Sequence, residues 1–259
     1  MVQFNSILKV MDEYIDKCTD YPKYQALKYF KEHKEEFQDE TWDDGDGSLD
    51  DGDAPVGNLQ QLQEDLQDEV DYDGEEMGAT YKYSRSEFCE LQKYNNGIYD
   101  KDYTEVDVYD IDDFSFDDHE DYIEDYDYEW YDLEKTSQLI DSAIDKSPRL
   151  AQDTVFHRLG RIDNDGEYNE EGDHNVFKGF TGLSYNPNVP TRGLDFAGWM
   201  HRNNRYNLKI YAMKGTKGMA LYPHNGCHDW QAEFLLGRGQ KFIVVSRNDN
   251  TMEAEILLY

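Results

Sequence analysis

The chain has 259 residues, enough for one large domain or two small ones, and a formal net charge of −32 from 57 acidic and 25 basic residues. Residues 1–146 hold 44 acidic and 12 basic residues, whereas residues 147–259 hold 13 of each, so the acidic excess belongs to the first half. Such a charge disfavours non-specific binding of that half to DNA, RNA or anionic lipid, and favours a basic partner or mimicry of nucleic acid.

Residues 4–38 are predicted to be helical. Apolar residues recur there at helical spacing, and Tyr24, Leu27 and Phe30 continue the pattern after a break near Pro22. A helix with such an apolar stripe must bury it, either against the second half of the chain or against another chain. We expect it to pack on the core. Residues 1–38 form the first predicted segment.

Residues 39–77 are predicted to be an acidic linker that contains one short helix. Within it, residues 44–53 resemble part of an EF-hand calcium loop, but Trp42 occupies the position of the first ligand and Asp53 replaces the bidentate glutamate. A solvated linker is therefore the default interpretation, with calcium binding as the alternative. The apolar face of the short helix comprises Leu59, Leu62 and Leu66.

Residues 78–259 are predicted to form the main domain. Within it, residues 103–132 interleave acidic residues with Tyr, Phe, Val and Ile, which fits either a strand or a disordered acidic segment, and we interpret them as an insertion. A helix closed by Pro148 is followed by many short strands with glycine and asparagine turns, which indicates a β-rich core of two packed sheets. Strands are predicted at Thr154–His157, Phe177–Ser184, Leu208–Met213, Phe234–Leu236, Phe242–Ser246 and Glu255–Leu258.

Residues 229–246 have the pattern of a β-hairpin. Two β-rich runs flank the turn at residues 237–239. Gln231 and Glu233 project to the same side of the first strand, about 7 Å apart. An amide and a carboxylate side by side at the start of a strand form a candidate reactive edge. The plain alternative is a solvated strand start.

Four segments between residues 136 and 259 carry a family resemblance. Residues 231–242 read Q-x-E followed by F-L-L-G-R-G-x-K-F, which resembles the catalytic-glutamate segment of the ADP-ribosyltransferases of the Arg–Ser–Glu class. That class includes bacterial exotoxins and related domains encoded by bacteriophages. The other segments, which follow the family's order and spacing, are 139–158 (the helix and strand that carry an arginine), 179–184 (the aromatic–x–Ser–Thr–Ser strand) and 209–218 (the strand and glycine turn before the glutamate).

The resemblance implies an α+β fold with a core of two packed, mostly antiparallel sheets and flanking helices, preceded here by an acidic helical region. It also implies an enzyme that uses NAD as a substrate, with NAD hydrolysis as a side activity. Loss of nicotinamide passes through an oxocarbenium-like ribose, which a fixed carboxylate stabilises. Glu233 is the candidate for that carboxylate. Glu253 and Glu255 form a competing E-x-E pair, which we interpret as part of the last surface strand.

The resemblance also assigns residues that bind NAD. Arg158 is expected to bind the phosphates, because a guanidinium suits bidentate phosphate contact. The alternative for Arg158 is a structural salt bridge. Phe180 either flanks the nicotinamide or is a buried strand residue, and His157 is expected to pack beside the arginine rather than act as a base.

The Ser–Thr–Ser strand is where the chain departs from the family. Ser184 is expected to be the surviving hydroxyl, which orients Glu233 and contacts NAD. Gly182 and Leu183 stand at the positions of the first serine and the threonine. Either Ser184 or Thr181 therefore substitutes for the missing serine, or turnover is weak.

Gln231 concerns the choice of acceptor. In arginine-modifying relatives a glutamate at this position holds the guanidinium, whereas glutamine is neutral. The Q-x-E variant therefore implies an acceptor such as asparagine or another uncharged protein group, as in the Rho-modifying exoenzymes. Nucleic acid, the acceptor of guanine-modifying toxins, ranks second.

Neither the cysteines nor the terminus indicates a metal site or export. Cys18, Cys89 and Cys227 have no disulfide or metal-ligand spacing, and the H-x-x-C-H stretch at 224–228 lacks a fourth ligand. No signal peptide is predicted, and no run approaches 18 apolar residues. We therefore expect a soluble cytoplasmic protein with no metal and no membrane contact.

Together these patterns predict an NAD-dependent mono-ADP-ribosyltransferase with a non-arginine acceptor. We expect a phage or bacterial effector that acts in a host cytoplasm or is associated with a virion. The alternative from a different class is a non-enzymatic acidic interaction protein, or a DNA mimic, on a degenerate transferase fold. The acidic half is expected to bind a basic partner.

Overall fold

The computed structural model describes residues 20–40, 58–83, 131–160, 174–187, 205–221 and 232–259, together with residues 15, 91, 105 and 106. The described residues fall into two compact units, one within residues 1–70 and 144–259 and the other within 71–143. No helix in these ranges is both long and apolar enough to cross a bilayer.

Helices and strands are both present in the described ranges, in agreement with the predicted α+β class. The helices are α1 (Tyr21–His33), α2 (Asn58–Gln67), α3 (Gly74–Lys82) and α4 (Leu133–Lys146), and a 3-10 turn spans Lys34–Glu36. The strands are β1 (Gln38–Asp39), β2 (Glu105–Val106), β3 (Tyr131–Asp132), β4 (Thr154–Gly160), β5 (His174–Phe177), β6 (Thr181–Ser184), β7 (Tyr206–Ala212), β8 (Gly218–Ala220), β9 (Glu233–Leu236), β10 (Gln240–Asn248) and β11 (Glu253–Leu258).

Nine of these strands form one mixed sheet in the order β5-β10-β11-β7-β4-β6-β9-β8, with β1 beside β4. The β1–β4 and β7–β11 pairs are parallel and the other pairs are antiparallel. The sequence predicted a core of two packed, mostly antiparallel sheets. In the described strands these are two segments of one sheet, because a single residue pair, His157 with Ser184, joins β4 to β6.

The main apolar core receives side chains from both segments of the sheet. Because side chains alternate along a strand, each of these strands directs every second residue into the core. Buried members include Phe156, Leu208, Ile210, Val244 and Ile256 from the longer segment, and Leu183, Phe234 and Leu236 from β6 and β9. This packing holds β6 and β9, which carry candidate site residues, in a fixed position.

Helix α1 packs on the opposite face of the longer segment. The helix begins at the N-cap Asp20, whose carboxylate accepts a hydrogen bond from the amide of Lys23 at 3.4 Å. Its buried residues Ala26, Leu27 and Phe30 share a cluster with side chains of the sheet. Those side chains are Val155, Tyr211, Ile243, Val245 and Leu257.

The apolar stripe of α1 is therefore buried against the second half of the chain, which was one of the two alternatives from the sequence. Strand β1, which follows α1, also pairs with β4. Residues 20–40 therefore lie in the same compact unit as the sheet, and the predicted segments 1–38, 39–77 and 78–259 stay a prediction.

Helix α2 buries polar side chains and exposes much of the apolar face that the sequence predicts. Leu62 and Leu66, which belong to the predicted apolar face, are 40% and 43% exposed, and Leu59 is only partly buried. The buried side of the helix is instead polar. It consists of Gln60, Gln63, Glu64 and Gln67.

Two glutamine side chains explain this arrangement. Gln67 donates to the carbonyl of Ala220 at 2.9 Å and accepts from its amide at 2.6 Å. Gln63 likewise donates to the carbonyl of Pro148 at 2.9 Å and accepts from the amide of Ala151 at 3.2 Å. A carboxamide carries the same donor and acceptor as a peptide group, so Gln67 continues the hydrogen bonding of the edge strand β8.

Replacement of Gln67 by alanine should therefore cost about 1–3 kcal/mol of folding free energy, because two buried backbone groups of Ala220 lose their partner. The measurement is urea unfolding of Gln67→Ala beside Gln61→Ala. Gln61 is exposed on the same helix and bonds only to the exposed Asp65 in the described structure, so its replacement should change stability by less than about 0.5 kcal/mol. Equal stability of the two variants would show that the hydrogen bonds between Gln67 and the backbone of Ala220 do not stabilise the fold.

The second unit contains α3 and most of α4. Helix α3 begins with a capping box, in which Asp73 accepts from the amide of Glu75 at 2.9 Å and Glu76 accepts from the amide of Asp73 at 2.8 Å. The other carboxylate oxygen of the buried Glu76 accepts from the hydroxyl of Ser142 on α4 at 2.6 Å. Glu76 thus ties the two helices together.

Several predictions fall outside the described residues. Of the predicted insertion 103–132, only β2 and β3 are described, and they pair with each other in antiparallel fashion. The calcium-like stretch 44–53 and most of residues 4–19 lie outside the described ranges, so both stay predictions.

Candidate active site

Three neighbouring strands bring the predicted site residues together. Arg158 lies on β4, Ser184 ends β6 and Glu233 begins β9. The antiparallel register of β6 and β9 places Ser184 opposite Glu233, and the β4–β6 pair places His157 opposite the same serine. Side chains of directly paired residues lie on the same face of a sheet, so Ser184 and Glu233 share one face.

The carboxyl group of Glu233 lies over Gly182. A Cβ atom built at position 182 would be 1.9 Å from Oε1 and 2.9 Å from Cδ of Glu233. Position 182 is two residues from Ser184, and is therefore the diagonal neighbour of Glu233 across the β6–β9 pair. The glutamate thus fills the space that any other residue at position 182 would need for its side chain.

The guanidinium of Arg158 meets the same glycine from β4. Its Nη1 donates a hydrogen bond to the carbonyl oxygen of Gly182. The side chain is half-buried, and its positive charge acts on the Glu233 carboxylate. Arg158 and Glu233, which are 75 positions apart in the sequence, therefore converge on one glycine.

Burial raises the pKa of Glu233 from the ordinary 4.5 to about 7, and the nearby charge of Arg158 lowers it in part. The proton equilibrium of this carboxyl group therefore lies near neutral pH. A carboxyl group whose pKa is raised by burial beside a cationic side chain is a common mark of a functional site.

The raised pKa also has a cost in stability. Because the folded-state pKa lies above 4.5, this group destabilises the fold as the pH rises from 4.5 towards 7, and the cost is complete above pH 7. We expect Glu233→Gln to raise the free energy of unfolding at pH 8 by up to about 3 kcal/mol, and to change it little at pH 4. Urea unfolding at both pH values measures this.

The matched control for that experiment is Glu253→Gln. Glu253 is an exposed carboxylate on β11 that accepts a hydrogen bond from Thr251 at 2.8 Å. Its replacement should leave the difference between pH 4 and pH 8 as in the wild type. A Glu233→Gln protein whose stability shows the wild-type pH dependence would contradict the burial of an ionisable carboxyl at this position.

The hydroxyl of Ser184 is buried and bonded within its own turn. Ser184 Oγ accepts from the amide of Asn186 at 2.9 Å and lies 3.2 Å from the carbonyl of the same residue, to which it can donate. Thr181 was the other candidate for the missing serine. It is paired with the core residue Leu236 and is one position out of phase with Gly182, so it faces the core rather than Glu233.

Phe180 is fully buried, and the guanidinium of Arg238 lies 5.3 Å from its ring centroid. Of the two alternatives from the sequence, the geometry matches a buried core residue, which lies one position before β6. Contact of this ring with a nicotinamide would require it to move.

Neighbouring charged residues have structural partners. His157 Nε2 lies 2.9 Å from Asp39 Oδ1, and Lys209 Nζ donates to Asp39 Oδ2 at 2.8 Å. Burial alone would raise the pKa of Asp39, but these two hydrogen bonds outweigh it and hold the pKa below its usual range. Glu255 of the competing E-x-E pair accepts from Lys34 at 2.8 Å and from Tyr211 at 3.1 Å.

Two predicted features of the site lie outside the described residues. Gln231 is not described, so its role in the choice of acceptor stays a prediction, and the H-x-x-C-H stretch at 224–228 also lies outside the described residues. In the ranges that the structure does describe, no three His, Cys, Asp or Glu side chains are grouped as metal ligands.

Sequence reasoning treated Gly182 only as a defect in the Ser–Thr–Ser strand. The structure shows that this glycine contacts both Arg158 and Glu233. The available signal was a glycine inside a strand pattern, which often marks the close approach of another group. That signal does not identify the approaching group.

No family model matches the chain, and no curated protein matches its sequence. Among solved structures, C2-I, the enzymatic component of the C2-toxin from Clostridium botulinum, is similar with a TM-score of 0.51 and 13% identity. The match covers 78% of this chain and 47% of C2-I, so the chain spans about half the length of that protein.

Two further similar structures have lower TM-scores. Plx2a, an ADP-ribosyltransferase toxin from Paenibacillus larvae, has a TM-score of 0.49 and 15% identity, and the match covers 78% of this chain and 92% of Plx2a. C3stau2 from S. aureus, whose structure contains NAD, has a TM-score of 0.49 and 16% identity, with 78% and 94% of the two chains covered. At such identities a likeness establishes the fold alone, and of the three only C2-I exceeds a TM-score of 0.5. The chain has the α+β fold found in C2-I, the enzymatic component of the C2-toxin.

Proposed function

We propose that the chain is an NAD-dependent mono-ADP-ribosyltransferase of the Q-x-E variant, and that it acts as a phage or bacterial effector. The observation that carries this proposal is the convergence of Arg158 and Glu233 on Gly182, within the fold shared with C2-I. A cation and a buried carboxylate that approach the same glycine fit a substrate that has anionic phosphates and develops positive charge when its bond breaks.

The two side chains have different roles in the proposed reaction. Arg158 holds a phosphate of NAD through its planar donors. When the bond between ribose C1′ and the nicotinamide nitrogen breaks, nicotinamide leaves with the bonding electron pair, and ionised Glu233 stabilises the ribose cation. An acceptor then attacks C1′ and loses a proton. Water as the acceptor gives NAD hydrolysis, the proposed side activity.

The acceptor is proposed to be asparagine or another uncharged protein group. This choice rests on Gln231, whose neutral amide can neither hold a guanidinium nor remove its proton. Nucleic acid ranks second, since the acidic first half repels polyanions. Agmatine, a free analogue of arginine, should therefore remain unmodified by the wild type. Agmatine modification that survives Gln231→Ala would contradict this assignment.

A second candidate function is a non-enzymatic acidic interaction protein or DNA mimic. Two observations favour it: Gly182 and Leu183 replace the serine and threonine of the family pattern, and the net charge is −32. In that case neither NAD turnover nor label transfer occurs, and a basic partner binds the acidic half.

Incubation with labelled NAD and host lysate distinguishes the two functions. Transfer of label to protein, or release of nicotinamide, supports the enzyme, and mass spectrometry identifies the modified group. Arg158→Lys keeps the charge but loses the planar donor pair, so we expect the rate at low NAD to fall at least tenfold. The control is Lys241→Gln, which removes an exposed cation from β10. If the wild type neither transfers label nor hydrolyses NAD, the transferase proposal is wrong.

A further inference from the structure

We propose that Gly182 is a positioning residue of the site: the missing side chain leaves the space that seats the Glu233 carboxylate beside Arg158. The catalytic part of this inference rests on the proposed transferase function. The structural part, that Gly182 leaves the space for the Glu233 carboxylate, does not depend on that function. A replacement of Gly182 by serine, which would restore the first serine of the family pattern, should therefore weaken the site instead of repairing it.

Space, rather than backbone conformation, is the reason for a glycine here. In the described chain, the glycines with positive φ are Gly215 and Gly239, and Gly182 is not among them. Any residue could therefore adopt its backbone angles. What excludes a side chain is the 1.9 Å distance between a Cβ atom at this position and Oε1 of Glu233.

The strand cannot move away to relieve this contact. Gly182 is paired with Leu235, and its neighbours Thr181 and Leu183 are paired with Leu236 and Phe234 on β9. Leu183, Phe234 and Leu236 are buried in the main core. The group that yields must therefore be the carboxylate, which is the free end of a flexible side chain.

A displaced carboxylate would lose two features of the native site. It would leave its enclosed position, so its pKa would fall from about 7 towards 4.5. It would also change its position relative to the Arg158 guanidinium, which stays bonded to the carbonyl of residue 182. Misplacement of a catalytic group by about 1 Å can cost on the order of 100-fold in rate.

The test compares the wild type with Gly182→Ala and Gly182→Ser. NMR titration of carbon-13-labelled glutamate carboxyl groups measures the titration midpoint of Glu233, which depends on whether the carboxylate keeps its position over residue 182. The Glu233 signal is assigned by its loss in Glu233→Gln. We expect the titration midpoint of Glu233 to fall by at least one pH unit in both variants. The melting temperature should fall by only a few degrees, because a flexible carboxylate absorbs the clash.

Gly78→Ala is the matched control. Gly78 lies in α3, a Cβ atom there would meet nothing within 4 Å, and its φ is not positive. This variant should leave the Glu233 midpoint and the rate of NAD turnover unchanged. In Gly182→Ala and Gly182→Ser, by contrast, we expect the turnover rate at pH 8 to fall at least tenfold.

Each outcome decides one part of the inference. An unchanged titration midpoint of Glu233 in Gly182→Ala, or failure of that variant to fold, would contradict the claim that Gly182 positions the Glu233 carboxylate. A shifted midpoint with wild-type NAD turnover would support the positioning of Glu233 by Gly182 but show that this position does not matter for catalysis. If the wild type shows no NAD turnover, the proposed function fails, and the titration still decides whether Gly182 seats Glu233.

Discussion

Replacement of Glu233 by glutamine should lower the rate of NAD turnover and label transfer at least about 100-fold at pH 8. The amide keeps the size of the side chain but cannot stabilise a ribose cation with a negative charge, and loss of one such electrostatic contact typically costs 100- to 1,000-fold. The measurement is kcat for nicotinamide release, with label transfer as a second readout.

The control for this experiment is Glu253→Gln, because Glu253 belongs to the competing E-x-E pair but is exposed on β11. It should turn over NAD at the wild-type rate. The opposite result, with activity lost in Glu253→Gln and kept in Glu233→Gln, would move the catalytic carboxylate to the end of the chain and refute the proposed site.

The wild-type rate should also follow the ionisation of Glu233. Since the ionised form is the active one and the pKa is about 7, activity should rise about tenfold per pH unit below pH 7 and level off above it. A profile of kcat/KM from pH 5 to pH 9 measures this rise. A rate that is already constant at pH 5 would show that Glu233 titrates at its ordinary value when the enzyme acts.

Phe30→Ala should destabilise the protein by about 3–5 kcal/mol, the usual cost of deleting a fully buried phenylalanine. Phe30 is completely buried on α1, and its ring contacts those of Phe37 and Tyr211 at centroid distances of 5.8 and 4.7 Å. Urea unfolding measures the change. The control Tyr21→Ala removes an aromatic ring that is 67% exposed on the same helix, and should cost less than about 0.5 kcal/mol.

The outcome of the Phe30 experiment bears on the domain organisation. If Phe30→Ala is no less stable than Tyr21→Ala, residues 1–38 are a separable segment, as the predicted boundaries imply. A large loss means that α1 is part of the folding unit of the sheet. In that case a fragment that begins at residue 78 exposes the apolar face of β4, β7, β10 and β11 and does not remain soluble.

The sequence was informative where local pattern and function coincide. The β-rich runs between glycine and asparagine turns predicted strands at β7, β9 and β10, which the structure contains, and the helical stripe around Leu27 and Phe30 predicted a helix with one buried face. Arg158 and Glu233 were identified through their resemblance to a family pattern. The structure brings them to the same glycine, which makes their shared site testable.

The sequence was misleading for α2, whose polar side chains can form hydrogen bonds either with water or with buried backbone groups. In α2 the leucines suggested the buried face, because apolar residues usually lose the most by exposure to water. The structure buries the glutamines instead, since Gln67 bonds to backbone groups of Ala220 on β8, and Gln63 bonds to those of Pro148 and Ala151 before β4. Those backbone groups are far away in the sequence, so no local pattern reports them.

By itself the sequence determined which residue types are available, their spacing along strands and helices, and the concentration of negative charge in the first half. Only the tertiary structure decided that the Glu233 carboxyl group occupies the position that a Cβ atom of residue 182 would take. It also decided that the carbonyl of Gly182 faces Arg158. The physical reason is that both contacts depend on the register of β6 against β9 and on the single pair that joins β4 to β6. A shift of one residue in either register would turn these side chains to the opposite face, and the spacing in the sequence would be the same.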